Sequence, residues 1–130
     1  MPLFKILLGF ILTMAVFFAI DLTWLGLVAK DFYARNMGSL MADKIKWPAA
    51  MLFYTIYIVG ILAFVSFPAH EKQSFFHAVV MGGLLGLVCY ATFDLTAYAL
   101  LKDFPLKVVV VDLIWGVVLT AAVSSASYFI

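Results

Sequence analysis

Residues 7–20 read LLGFILTMAVFFAI, and residues 81–90 read MGGLLGLVCY. Neither alternates between apolar and polar positions, as a strand of a membrane barrel must. Each lies inside a longer apolar segment, and a helix needs about 20 apolar residues to cross ~30 Å of hydrocarbon. Residues 3–29, 48–67, 75–101 and 107–130 all reach that length. They predict an all-α integral membrane four-helix bundle, a single four-span domain over residues 1–130.

Composition agrees with that reading. Of 130 residues, 67% are hydrophobic and 12% charged, with a mean hydropathy of +1.17. A soluble domain is roughly half apolar and a quarter charged, and a small globule has no room to hide the excess. A soluble enzyme and a disordered tail are therefore excluded. Eight basic residues against seven acidic ones leave no footprint for a polyanion, so no nucleic acid partner is expected. The one cysteine, Cys89, excludes a disulfide framework and a cysteine-based zinc site.

The first segment, with Lys5 before a long apolar run, superficially resembles a signal peptide. Its run is too long and no small-x-small cleavage site follows, so it is expected to stay as the first span. Lys30, Arg35, Lys44 and Lys46 fall in the first connection, Lys102 and Lys107 in the third, and only Lys5 and Lys72 on the other side. Basic residues favour the cytoplasmic side. The first and third connections are therefore expected in the cytoplasm of a bacterial inner membrane, with both termini outside. Within the first connection Phe32, Tyr33, Met37, Leu40, Met41 and Ile45 recur every three or four residues among charges. This predicts an interfacial amphipathic segment over 30–47, broken at Gly38.

The acids carry the functional argument. Asp21 lies eight residues before Ala29, Asp94 seven before Leu101, and Asp112 five after Lys107. At 1.5 Å per residue all three sit roughly 7–12 Å inside the same boundary. A carboxylate at such depth costs about 2.5–3.5 kcal/mol on the mildest scale and normally faces the bundle interior. No Lys or Arg shares their level. A proton, a cation or a metal ion must then neutralise part of the charge, because close like charges do not all ionise.

Aromatic residues surround this level. Trp24 is three residues from Asp21 and Trp115 three from Asp112, while Tyr90 and Tyr98 flank Asp94 at four residues on either side. The second span brings Tyr54 and Tyr57. Asp21, Trp24, Tyr54, Tyr57, Tyr90, Asp94, Tyr98, Asp112 and Trp115 are accordingly the candidate ligand-binding residues. The strings DLTW (21–24), DLTA (94–97) and DLIW (112–115) echo one another and suggest two parallel-repeat helical hairpins. Gly82 and Gly86 offer a small-xxx-small face for close packing.

No HExxH, GxSxG, Walker A or Cys-His set is present. Carboxylates alone would suit Mg²⁺, Mn²⁺ or Ca²⁺, but no cofactor and no metal site is assigned. The strings DLTWLGLVAKDFYARNMGSLM, PAAMLFYTIYIVG, CYATFDLTAYALLKDFPLKVVVVD and DLIWG resemble a family of small bacterial membrane proteins known as a domain of unknown function. The resemblance covers nearly the whole chain and implies a four-span inner-membrane protein with no assigned activity. The family's third motif tends to read YATYDLTN, so Phe93 and Ala97 here stand in place of Tyr and Asn.

Three functions fit these residues. Carboxylates beside Trp and Tyr faces suit binding or transport of a cation or cationic small molecule. The same acids could serve a structural or assembly subunit, tying helices together or supporting a homo-oligomer. A membrane-embedded enzyme acting on a lipid would use paired Asp residues as acid and base, and it ranks last because no nucleophile or His accompanies them.

Overall fold

The computed structural model describes residues 3–38 and 46–130. Four helices have the length and hydropathy to cross a membrane: α1 (Leu3–Val28), α3 (Trp47–Glu71), α4 (Phe75–Leu100) and α5 (Leu106–Phe129). A shorter helix, α2 (Lys30–Met37), follows α1 and ends at Gly38. The described residues contain no strand, so the all-α membrane bundle is the fold. Leu40, Met41, Asp43, Lys44 and Ile45 of the expected amphipathic segment lie outside the described residues.

The spanning helices are predominantly apolar and turn apolar side chains outward, as lipid contact requires. Leu7, Ile11, Ile56, Phe76, Ile114 and Val118 all point outward. In lipid such exposure costs nothing, because the hydrocarbon tails are as apolar as the side chains. Packing is therefore directed by small and polar residues.

Between α4 and α5 this is explicit. A Cβ at Gly86 would collide with the Gly116 carbonyl and come 2.8 Å from Thr120 Cβ. A Cβ at Gly116 would strike the Tyr90 ring. Only hydrogens fit there, so the two helices run in contact along their length. The hairpin of α1 and α3 has no such seam and packs more loosely; α1 meets α5 more than it meets α3. The two hairpins suggested by the DL repeats are thus unequal in construction.

Helix α3 continues to Glu71, four residues past the expected end at Phe67. Over Leu62–Ser66 it widens into a π turn. Pro68, which has no N–H to donate, is taken up directly after the wide turn, where the ladder is already displaced. Gln73 then adopts a left-handed backbone (φ 51°) and Ser74 caps α4 by accepting from the His77 N–H at 3.1 Å. Phe104 folds inward at 6% exposure after a left-handed Asp103, closing the last connection.

The apolar side of α2 is covered by protein. Phe32, Tyr33 and Met37 pack on Ala97, Val108 and Val109 of α4 and α5. This seats α2 across the end of the bundle where the three acids lie.

Candidate functional site

The site begins where α1 departs from regular α geometry. Asp21 is 6% exposed and accepts from Trp115 Nε1 at 3.1 Å. Three residues later the helix widens into a π turn over Trp24–Val28, closed by the Ala29 N–H on the Trp24 carbonyl at 2.7 Å. Trp24 lies flat on Trp115, ring centroids 4.5 Å apart and planes 11° from parallel. Wide turns of this kind recur at functional sites because they re-aim side chains without ending the helix.

From Trp24 the network passes to α2 and α5. Trp24 Nε1 donates to Tyr33 Oη at 3.2 Å, and Tyr33 Oη donates to Asp112 Oδ1 at 2.9 Å. Two indoles and one phenol therefore hold two of the three acids. Burial raises the Tyr33 pKa above its ordinary value, and the neighbouring Asp112 charge acts in the same direction. Tyr33 consequently remains a donor to Asp112 throughout the physiological range.

Asp94 differs from the other two. It is 0% exposed, and neither carboxylate oxygen receives an N–H or hydroxyl donor among the described residues, so the only group in hydrogen-bonding position is the Asp112 carboxyl. Its nearest charged neighbour is Asp112 across the α4–α5 seam. Two carboxyls facing each other, one of them fully buried, do not both carry a negative charge without compensation. Asp112 also forms the polar point of a cavity of about 390 Å³ whose other walls are Phe53, Cys89, Tyr90 and Phe93. Among the described residues no three His, Cys, Asp or Glu side chains gather closely enough for a metal ion. The acids are arranged as a facing pair, with Asp21 held separately by its indole.

The remaining candidates divide by the direction they turn. Tyr90 packs over Gly116 and lines the cavity, whereas Tyr98 is 47% exposed and stands away from it. Four residues overshoot a helical turn by about 40°, so residues four before and four after Asp94 rotate in opposite senses. The two rings therefore stand about 80° apart around α4, and of the two it is Tyr90 that turns inward. Tyr57 is buried, but its hydroxyl shares a 2.6 Å hydrogen bond with Thr120 Oγ1 rather than with an acid. Tyr54 packs its ring on Phe17 and Phe18.

In the sequence Tyr33 stands out only as part of an amphipathic pattern; in the structure it is the link between Trp24 and Asp112. Its apolar spacing with Phe32 and Met37 marked a buried face; that the face would lie under the acids is a tertiary fact. Thr120, Ser124 and Ser127 are buried polar residues that hydropathy alone does not single out. Their three- and four-residue spacing from Asp112 through Gly116 is readable in the sequence as a single helix face.

Four spanning helices with buried carboxylates at one end define a small polytopic membrane protein. The chain belongs to the family described as "Predicted membrane protein (DUF2177)", which it matches over residues 6–129. No curated protein matches it, and no solved structure does.

Proposed function

We propose that this protein binds a cationic small molecule in the cavity walled by Phe53, Tyr90 and Phe93, with Asp112 and Asp94 as the countercharge. The observation that carries this reading is Asp94, fully buried with no N–H or hydroxyl donor to either oxygen among the described residues and only the Asp112 carboxyl beside it. A buried charge is tolerated when paired: a monovalent cation placed against Asp112 would offset one carboxylate charge, while a proton shared between Asp94 and Asp112 offsets the other. The cavity supports an organic cation over a bare ion. Its walls are aromatic and apolar, which suits cation–π attraction, and about 300–1,000 Å³ is the usual volume of a small-molecule site.

In this reading the acid-bearing end faces the cytoplasm of a bacterial inner membrane. Six of eight basic residues flank that end. Transport follows if the same carboxyls exchange the cation for a proton. A structural role is the second reading, and a specific observation favours it for two acids. Asp21 ties α1 to α5 through Trp115, and Asp112 ties α5 to α2 through Tyr33.

Asp94→Asn tests the proposal, because it preserves shape while removing charge. The purified protein in detergent should melt at a higher temperature with tetrabutylammonium present, by mass action on the folded state. Asp94→Asn should fold but lose that shift. An unchanged shift in Asp94→Asn, or none in the wild type, would refute the reading.

A further inference from the structure

The face of α5 that carries Asp112 continues as Gly116, Thr120, Ser124 and Ser127. Fifteen residues separate Asp112 from Ser127, a rise of about 22 Å along the bundle. Thr120, Ser124 and Ser127 are 0%, 0% and 4% exposed, and Thr13 of α1 and Ser66 of α3 are equally hidden.

Hydroxyls in membrane helices commonly bond the carbonyl one turn back on their own helix. Thr23, Thr55, Thr92 and Ser125 do so, each with the residue four positions earlier. The inward hydroxyls behave otherwise. Thr13 Oγ1 donates to Ser127 Oγ at 3.2 Å, and Tyr57 pairs with Thr120 at 2.6 Å, both between helices. Ser66 and Ser124 have no partner among the described residues. Adjacent Ser124 and Ser125 make the contrast plain: one is satisfied by its own helix, the other faces the interior unsatisfied.

We propose that Thr13, Ser127, Ser66, Ser124, Thr120 and Tyr57 form a proton path between the two ends of the bundle. One mouth is a cavity of about 300 Å³ at the end carrying the chain termini, lined in part by Lys5, Ser66, His70 and Ser127. At the other end the Tyr57 ring packs edge-on against Tyr90, centroids 6.3 Å apart, and Tyr90 shares a cavity with Asp112 in which water would carry the proton from the Tyr57 hydroxyl to the acids. The groups around the receiving carboxyls are Asp21, Tyr33 and Tyr90. Buried hydroxyls lacking protein partners are bonding positions for water, which would complete the file between Ser66 and Ser124.

Close packing beside Ser124 favours a proton over a larger ion. A Cβ at Gly82 would fall 2.6 Å from Ser124 Oγ, so α4 lies directly against the file. On that side of Ser124 there is no room for a hydrated metal cation. A hydroxyl accepts a proton on its oxygen as it releases its own to the next. With waters also bridging Ser124 to Thr120 and Tyr57 to the carboxyls, one proton taken from water at the terminal mouth is released onto an Asp94 or Asp112 oxygen, and rotation of the hydroxyls resets the file. The proposal rests on the cation-binding reading for its purpose, since a proton delivered there would compete with the bound cation.

The full chain, reconstituted in lipid vesicles containing pyranine, should acidify the lumen faster than protein-free vesicles under a valinomycin-imposed potassium potential. Thr120→Val, which keeps shape, and the smaller pair Ser66→Ala with Ser124→Ala should each bring the rate down to that of protein-free vesicles. Ser125→Ala should leave it at the wild-type value. Wild-type vesicles no faster than protein-free ones, or hydroxyl variants that conduct like the wild type, would overturn the path. The tetrabutylammonium melting shift of the wild type reports on the binding site alone. A shift without proton flux removes the path and leaves the site, whereas flux without a shift removes the site and leaves the path.

Discussion

Trp24 and Trp115 come from different helices and stack face to face at 4.5 Å, yet their indole N–H groups serve different partners. Trp115 donates to Asp21 of the opposite helix. Trp24 donates to Tyr33, which passes the bond to Asp112 on the helix of Trp115. Stacking therefore locks two hydrogen-bonded arms, and each arm holds one acid from outside its own helix turn.

Trp115→Phe keeps much of the stacked surface but removes the donor to Asp21. A buried acceptor left without its partner costs about 1–3 kcal/mol. Thermal unfolding in detergent should show that loss. In a double-mutant cycle with Asp21→Asn the two changes should couple, as residues in one hydrogen-bond network do. Strict additivity would remove this arm.

Tyr33→Phe cuts the other arm and frees Asp112 from its phenol. The variant should unfold more easily and expose α2 to proteolysis after Arg35. The wild type should lose stability as pH rises past about 10, the ordinary tyrosine value, because the unfolded chain then releases a proton that folded Tyr33 retains. Below that pH both states keep the proton and no slope arises from this group. Unfolding followed across alkaline pH should give a shallower decline for Tyr33→Phe.

Gly86→Ala places a methyl group against the Gly116 carbonyl and Thr120. Overpacking of this kind typically costs about 1–3 kcal/mol, and here backbone must move. Gly9→Ala, where a Cβ meets nothing within 4 Å, should leave the melting temperature unchanged or slightly raised. Equal melting temperatures for the two variants would show that the α4–α5 seam is not close-packed.

Orientation has its own test. In a Cys89→Ser background, a membrane-impermeant thiol reagent applied outside intact cells should label Lys72→Cys and spare Lys102→Cys. Labelling confined to position 102 would invert the arrangement.

Much of the fold was legible because it rests on one-dimensional quantities. Length, apolar content and the lack of alternation specify four helices, and the ends differ from expectation by a residue or two except at Phe67. There the π turn before Pro68 prolongs the helix, and no local pattern marks a π turn. The acids were legible by depth, since 1.5 Å per residue converts position into height.

Which way each side chain turned was decided in three dimensions. Tyr90 and Tyr98 are equivalent by spacing from Asp94, yet only Tyr90 faces the seam, because the axis of contact with α5 lies to one side of Asp94. Asp21, Asp94 and Asp112 look alike in sequence; packing gave two of them donors and left the third without one among the described residues. Sequence alone determined that the chain spans the membrane and carries three acids at one level, because hydropathy and helical rise are properties of a single segment. The pairing of Asp94 with Asp112, the indole stack and the place of Tyr33 needed the tertiary structure, because rotation about a helix axis is set by its neighbours.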